Sequence, residues 1–107
     1  MGVELVFFQS NHEGYIIDFI QEKMNATDGI VLNPAGYSNT GFGILDALTA
    51  LPVPFVEVHL SNVFAREHWH SQSVFTAKAV GTVFGFRGFG YELGLRAIVN
   101  HIISNRG

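Results

Sequence analysis

Short apolar segments alternating with helical patterns predict an α/β fold, a parallel sheet covered by helices on both faces. Three observations carry the expectation: the strand-like runs are nearly continuous in apolar residues, runs with helical spacing stand between them, and polar clusters follow the strand-like runs. A chain of 107 residues, 48% hydrophobic and 14% charged, supplies the core of one domain spanning residues 1–107.

The elements follow in order. Val3 to Phe8 reads as a buried strand. Asn11 or Glu13 starts a helix in which Ile16, Ile17, Phe19, Ile20 and Met24 recur at helical spacing. Asp28-Gly29 turns the chain into a second strand, Gly29 to Leu32, which Asn33-Pro34-Ala35-Gly36 closes. Phe42, Ile44, Leu45, Leu48 and Leu51 mark the next helix, and Pro52 and Pro54 stop it because proline donates no backbone hydrogen bond. Phe55 to Leu60 is the third strand, and a helical turn is expected around Arg66 to Trp69. Ala79 to Phe86, interrupted by Gly81 and Gly85, is the fourth strand, and the last helix runs from about Gly90 to Ile103.

Composition excludes several classes of function. The formal net charge of −3, with Lys and Arg scattered, offers no basic stripe for nucleic acid or an anionic membrane. With no cysteine there is no disulfide, thiolate metal site or cysteine nucleophile, in keeping with a reducing compartment. No apolar run approaches the roughly 20 residues that span a bilayer, and Met1-Gly2-Val3-Glu4 lacks the basic then apolar order of a signal peptide. A cytoplasmic protein is expected. Ten Phe and twelve Gly are many for this length, and the excess of aromatic surface favours a homo-oligomer.

The richest cluster is Glu57-Val58-His59-Leu60-Ser61-Asn62 at the end of the third strand. The ends of parallel strands share one edge of a sheet, so this cluster, Asn33, and Gln9 to Glu13 should face a common crevice. His59 is the candidate general acid or base, with Glu57 two residues earlier on the same face to orient or charge it. A structural histidine bonded to its own loop is the competing reading. Asn33 offers an amide to a substrate hydroxyl or a water, although Asn before Pro also serves as a plain turn former. His12, His68 and His70 lack the spacing of a zinc site, and no metal is expected. Gly85, Gly88 and Gly90 do not follow the order of a dinucleotide-binding loop, so turn and close-packing roles suffice.

The segments FFQSNHEG (7–14), DGIVLNPAGYSNT (28–40), VPFVEVHLSNVFARE (53–67) and GFGYELGLRA (88–97) together resemble type II 3-dehydroquinate dehydratase over nearly the whole chain. The resemblance implies a flavodoxin-like three-layer sandwich, assembled as trimers or a dodecamer. It also implies dehydration of the small-molecule substrate 3-dehydroquinate to 3-dehydroshikimate in the shikimate or quinate pathway, with no cofactor. A tyrosine supported by an arginine on a mobile N-terminal loop would form an enolate, and a histidine would protonate the departing hydroxyl. By resemblance that histidine is His59 with Glu57 as partner. Asn33 would hold a water against the enolate oxygen, and Leu60 and Ser61 would bind the substrate carboxylate. Asp46 matches an acidic residue that contributes to a neighbouring subunit's site.

The chain also departs from the family. The family's first strand and its tyrosine and arginine loop have no counterpart here, and Tyr15, Tyr37 and Tyr91 match other positions. Because that strand lies at the centre of the family's sheet, the resemblance implies ladder groups left unpaired. An incomplete reading of a longer gene, a decayed paralogue and a subunit that accepts a strand from another chain are the competing explanations. Asn39 stands where the family has a histidine and His70 where it has an arginine, which loses a fixed multidentate donor and lowers the expected affinity. A catalytically inactive assembly or interaction subunit is the alternative function.

Overall fold

The computed structural model describes residues 2–106; Met1 and Gly107, the two ends of the domain expected over residues 1–107, lie outside them. Helix α1 (Glu13–Lys23) leads through a 3-10 turn (Met24–Ala26) to strand β1 (Ile30–Leu32). A second 3-10 turn (Ala35–Tyr37) precedes α2 (Phe42–Thr49), which is followed by β2 (Phe55–His59). Two more 3-10 turns (Val63–Ala65 and His68–Ser71) lead to β3 (Gly81–Phe84) and α3 (Phe89–Ser104).

The strands form a parallel sheet in the order β1-β2-β3, with Leu32 opposite Glu57 and His59 opposite Phe84. Every residue of β2 is buried, as a central strand of a covered sheet requires. The period of two along β2 divides the core. Val56 and Val58 pack with Ile98 of α3 on one face. Phe55 packs with Ile44, Leu48 and Phe75 on the other, where Ile16, Ile17 and Ile20 of α1 close over the cluster. Helices α1 and α2, the sheet, and α3 thus make the three layers of the expected sandwich. Gly94 lets α3 lie directly on the sheet: a Cβ there would stand 2.8 Å from Val58 Cγ2 and 3.1 Å from Val31 Cγ1.

One predicted element is absent. Val3 to Phe8 has no strand structure and is exposed, with Phe7 at 83%. An apolar run becomes a strand only when a neighbouring backbone satisfies its N–H and C=O groups, and no strand lies beside this one among the described residues. The outer edge of β1 likewise lacks a partner there. The side chain of Phe8 stacks on Phe19 with ring centroids 4.3 Å apart. Other boundaries shift by a few residues. The fourth expected strand contracts to Gly81–Phe84, and the turn foreseen around Arg66 to Trp69 resolves into two, at Val63–Ala65 and His68–Ser71.

Candidate active site

The C-terminal edge of the sheet carries the polar groups. Glu57 and His59 project to the same side of β2, and His59 Nε2 lies 2.6 Å from Glu57 Oε2. Glu57 is completely buried and His59 is 8% exposed. A carboxylate in the middle of a buried strand must find hydrogen-bond donors or forfeit its charge. Glu57 finds four. Oε2 accepts from His59 and from Ser73 Oγ at 2.5 Å, while Oε1 accepts from Thr76 Oγ1 at 2.7 Å and Thr82 Oγ1 at 3.2 Å. Burial pushes the Glu57 carboxyl up. The hydrogen bonds from His59, Ser73 and Thr76, with the charge of a protonated His59, outweigh burial and hold the group below its ordinary 4.5.

His59 faces a cavity of about 220 Å³ that is also lined by Phe64, His70, Gln72, Ser73 and Thr82. His70 therefore shares a cavity with His59. Its ring stacks on Trp69 with centroids 3.5 Å apart. Its Nδ1 lies 3.0 Å from the Glu67 carboxylate, close enough for charge attraction but without hydrogen-bond alignment, so the nitrogen counts as unpartnered. Glu67's own backbone amide, then His70, hold the Glu67 carboxyl below its ordinary value.

The other expected residues surround this edge with less convergence. Asn33 follows β1, and both ends of its amide are engaged: Nδ2 donates to the Tyr91 hydroxyl at 2.8 Å and Oδ1 accepts from the Ala35 amide at 3.0 Å. Asn39 donates to the Trp69 carbonyl at 3.1 Å, which ties the loop after β1 to the loop after β2. Leu60 is 37% exposed, and Ser61 Oγ accepts from Arg66 at 3.4 Å. Asp46 is exposed on α2 and does not line the His59 cavity. The Gln9 to Glu13 cluster does not follow a strand, contrary to expectation. It still reaches this edge, because Tyr37 donates to the Asn11 carbonyl at 2.6 Å.

The sequence reading missed Ser73, Thr76 and Thr82. The signal was available for one of them, since Thr82 stands opposite Glu57 in the ladder, and a carboxylate inside an apolar strand calls for a donor across from it. Ser73 and Thr76 come from an irregular segment, and only the tertiary structure brings them to Glu57. The Tyr91 contact to Asn33 spans 58 residues and left no local mark.

A covered parallel sheet with a buried carboxylate and an imidazole at its C-terminal edge defines a flavodoxin-like α/β protein with a polar pair at that edge. The family model described as "Dehydroquinase class II" matches residues 1–99. Among curated relatives, the 3-dehydroquinate dehydratase of Aliarcobacter butzleri is 50% identical over 101 residues, covering 94% of this chain and 62% of that protein. The catabolic 3-dehydroquinase of Aspergillus clavatus is 46% identical over 105 residues, covering 98% of this chain and 67% of that protein. Among solved structures, the type II dehydroquinase from Propionibacterium acnes superposes with a TM-score of 0.80 at 35% identity, over 87% of this chain and 64% of its own. The chain belongs to the class II dehydroquinase family. It spans 62% of the Aliarcobacter enzyme's length.

Proposed function

We propose that this chain carries the acid half of a site that dehydrates 3-dehydroquinate to 3-dehydroshikimate, in the shikimate or quinate pathway. The His59 to Glu57 contact at 2.6 Å at the sheet edge carries the proposal, and the identity to 3-dehydroquinate dehydratases supports it. In this reading His59 protonates the departing hydroxyl, which leaves as water, while Glu57 fixes the ring and stabilises its charged form. Asn33 holds a water against the enolate oxygen, and Ser61 and the Leu60 backbone bind the substrate carboxylate. Asn39 and His70 line the substrate, and Asp46 reaches a neighbouring subunit.

The enolate-forming base is assigned to none of the three tyrosines. Tyr37 is committed to Asn11, Tyr91 to Asn33, and Tyr15 stands edge-on to His12 with ring centroids 5.0 Å apart. Residues 1–107 act as one domain, without a cofactor. A homo-oligomer, trimeric or dodecameric, would cover the exposed aromatic rings of Phe42, Phe64, Trp69, Phe86 and Phe89. We place the protein in the cytoplasm. Among the described residues no helix is long and apolar enough to cross a membrane.

The test is the absorbance of the conjugated enone product when dehydroquinate is added to the chain alone and to the chain joined to a relative's N-terminal segment. Turnover that falls on His59→Asn in whichever form is active is the expected result. Equal turnover by the His59→Asn variant, or none from either form, overturns the proposal.

A further inference from the structure

An ionised carboxylate accepts hydrogen bonds and donates none, at about four lone-pair positions on its two oxygens. Glu57 fills four positions, two on each oxygen. Each partner must therefore supply the hydrogen. Ser73 is further fixed because its oxygen accepts the Phe75 amide at 3.2 Å while its hydrogen goes to Glu57. His59 must place a hydrogen on Nε2, so its neutral ring carries the lone pair on Nδ1. That nitrogen has no protein partner, and it is not buried either: among the described residues the one buried, unpartnered side-chain polar atom is His70 Nδ1. His59 Nδ1 is thus open to solvent or ligand.

We infer that Ser73, Thr76 and Thr82 are positioning residues whose hydroxyls clamp both oxygens of Glu57, hold it as the acceptor of His59 Nε2–H, and so leave Nδ1 as the nitrogen that exchanges a proton with the ligand. The inference deepens the proposed dehydratase reading and rests on it for the ligand's identity. Without the hydroxyls, Glu57 would be a buried carboxylate with His59 as its one remaining donor, and burial would favour its protonated form. A protonated Glu57 donates as well as accepts, and the tautomer of His59 is then no longer imposed. No ionisable side chain besides His59 and His70 lines the adjoining cavity, so no other charge there can substitute for the clamp.

The test uses the full chain with carboxyl-labelled glutamate and ring-labelled histidine, followed by NMR as pH is varied. The variants are Ser73→Ala, Thr76→Val and Thr82→Val, each with a hydroxyl-retaining counterpart, Ser73→Thr, Thr76→Ser or Thr82→Ser. The unmodified chain should show the Nε2–H tautomer of neutral His59. Each hydroxyl removed should shift the Glu57 midpoint upward, further when Thr76→Val and Thr82→Val are combined, and the hydroxyl-retaining variants should restore it. An unmoved midpoint, serine variants that behave like the valine ones, or the Nδ1–H tautomer in the unmodified chain would overturn the inference. In the form that turns over dehydroquinate, Thr76→Val should lower kcat about tenfold, the loss of one hydrogen bond to a charged group, with KM unchanged. An absence of turnover in every form counts against the dehydratase reading alone, because the carboxyl titration decides the clamp without it.

Discussion

Replacing Glu57 by Gln should destabilise the fold at neutral pH, and the penalty should fade in acid. The substitution keeps the shape of the side chain but turns one of its two acceptors into a donor. The Thr76 and Thr82 hydroxyls can rotate to accept from the new amide, so its remaining oxygen stays toward His59 Nε2 and Ser73. What is lost is the charge. Hydrogen bonds to charged groups contribute about 1.5 to 3 kcal/mol against about 0.5 to 1.5 for neutral ones. Four weakened bonds do not add independently, and relief of the carboxylate's desolvation offsets part of the loss. A net cost of about 2 kcal/mol at pH 7 follows. The folded-state carboxyl lies below its ordinary 4.5, so its contribution is fully present above 4.5 and is lost as pH falls through the folded value. Urea denaturation of the two chains at a series of pH values from 7 downward measures the difference. It should shrink as the pH falls below 4.5. A penalty that grows as the pH falls below 4.5, or that stays the same there, would refute the charged, donor-saturated Glu57.

Three further outcomes are expected. Gly94→Ala should destabilise by about 1 to 3 kcal/mol in thermal or urea unfolding, because the added Cβ meets two valine side chains of a buried sheet at 2.8 and 3.1 Å. Ala35→Gly should stabilise by about 1 kcal/mol, since Ala35 holds φ at 46°, a left-handed conformation that costs a residue with a Cβ; an unchanged midpoint of unfolding would argue against that strain. Tyr91→Phe removes the hydroxyl that accepts from Asn33 and should cost about 1 kcal/mol of stability, with a lower kcat in the dehydroquinate assay if Asn33 acts at the enolate.

Most of the sandwich was legible because its signals are local. The helical spacing of Ile16, Ile17 and Ile20 located α1, and Pro52 and Pro54 marked where the chain leaves α2 for β2. Val3 to Phe8 was illegible for a physical reason. Its composition suits a strand, but strand structure belongs to a pair of backbones, and with no partner strand among the described residues five of its apolar residues stay exposed.

The site divides along the same line. Glu57 and His59 were readable together because a separation of two on a strand guarantees a shared face, and the 2.6 Å contact follows from that spacing. Their chemistry was not readable from the pair alone. A buried His and Glu without other partners would share a proton ambiguously, and whether the imidazole offers Nε2 or Nδ1 to a ligand would be undetermined. Three hydroxyls 16 to 25 residues downstream remove the ambiguity by filling the other positions on the carboxylate. In the proposed reading the acid is therefore a property of five side chains, two set by strand periodicity and three brought by the fold. A substitution at Thr82, which no local pattern marks as functional, should act on the same proton as a substitution at His59.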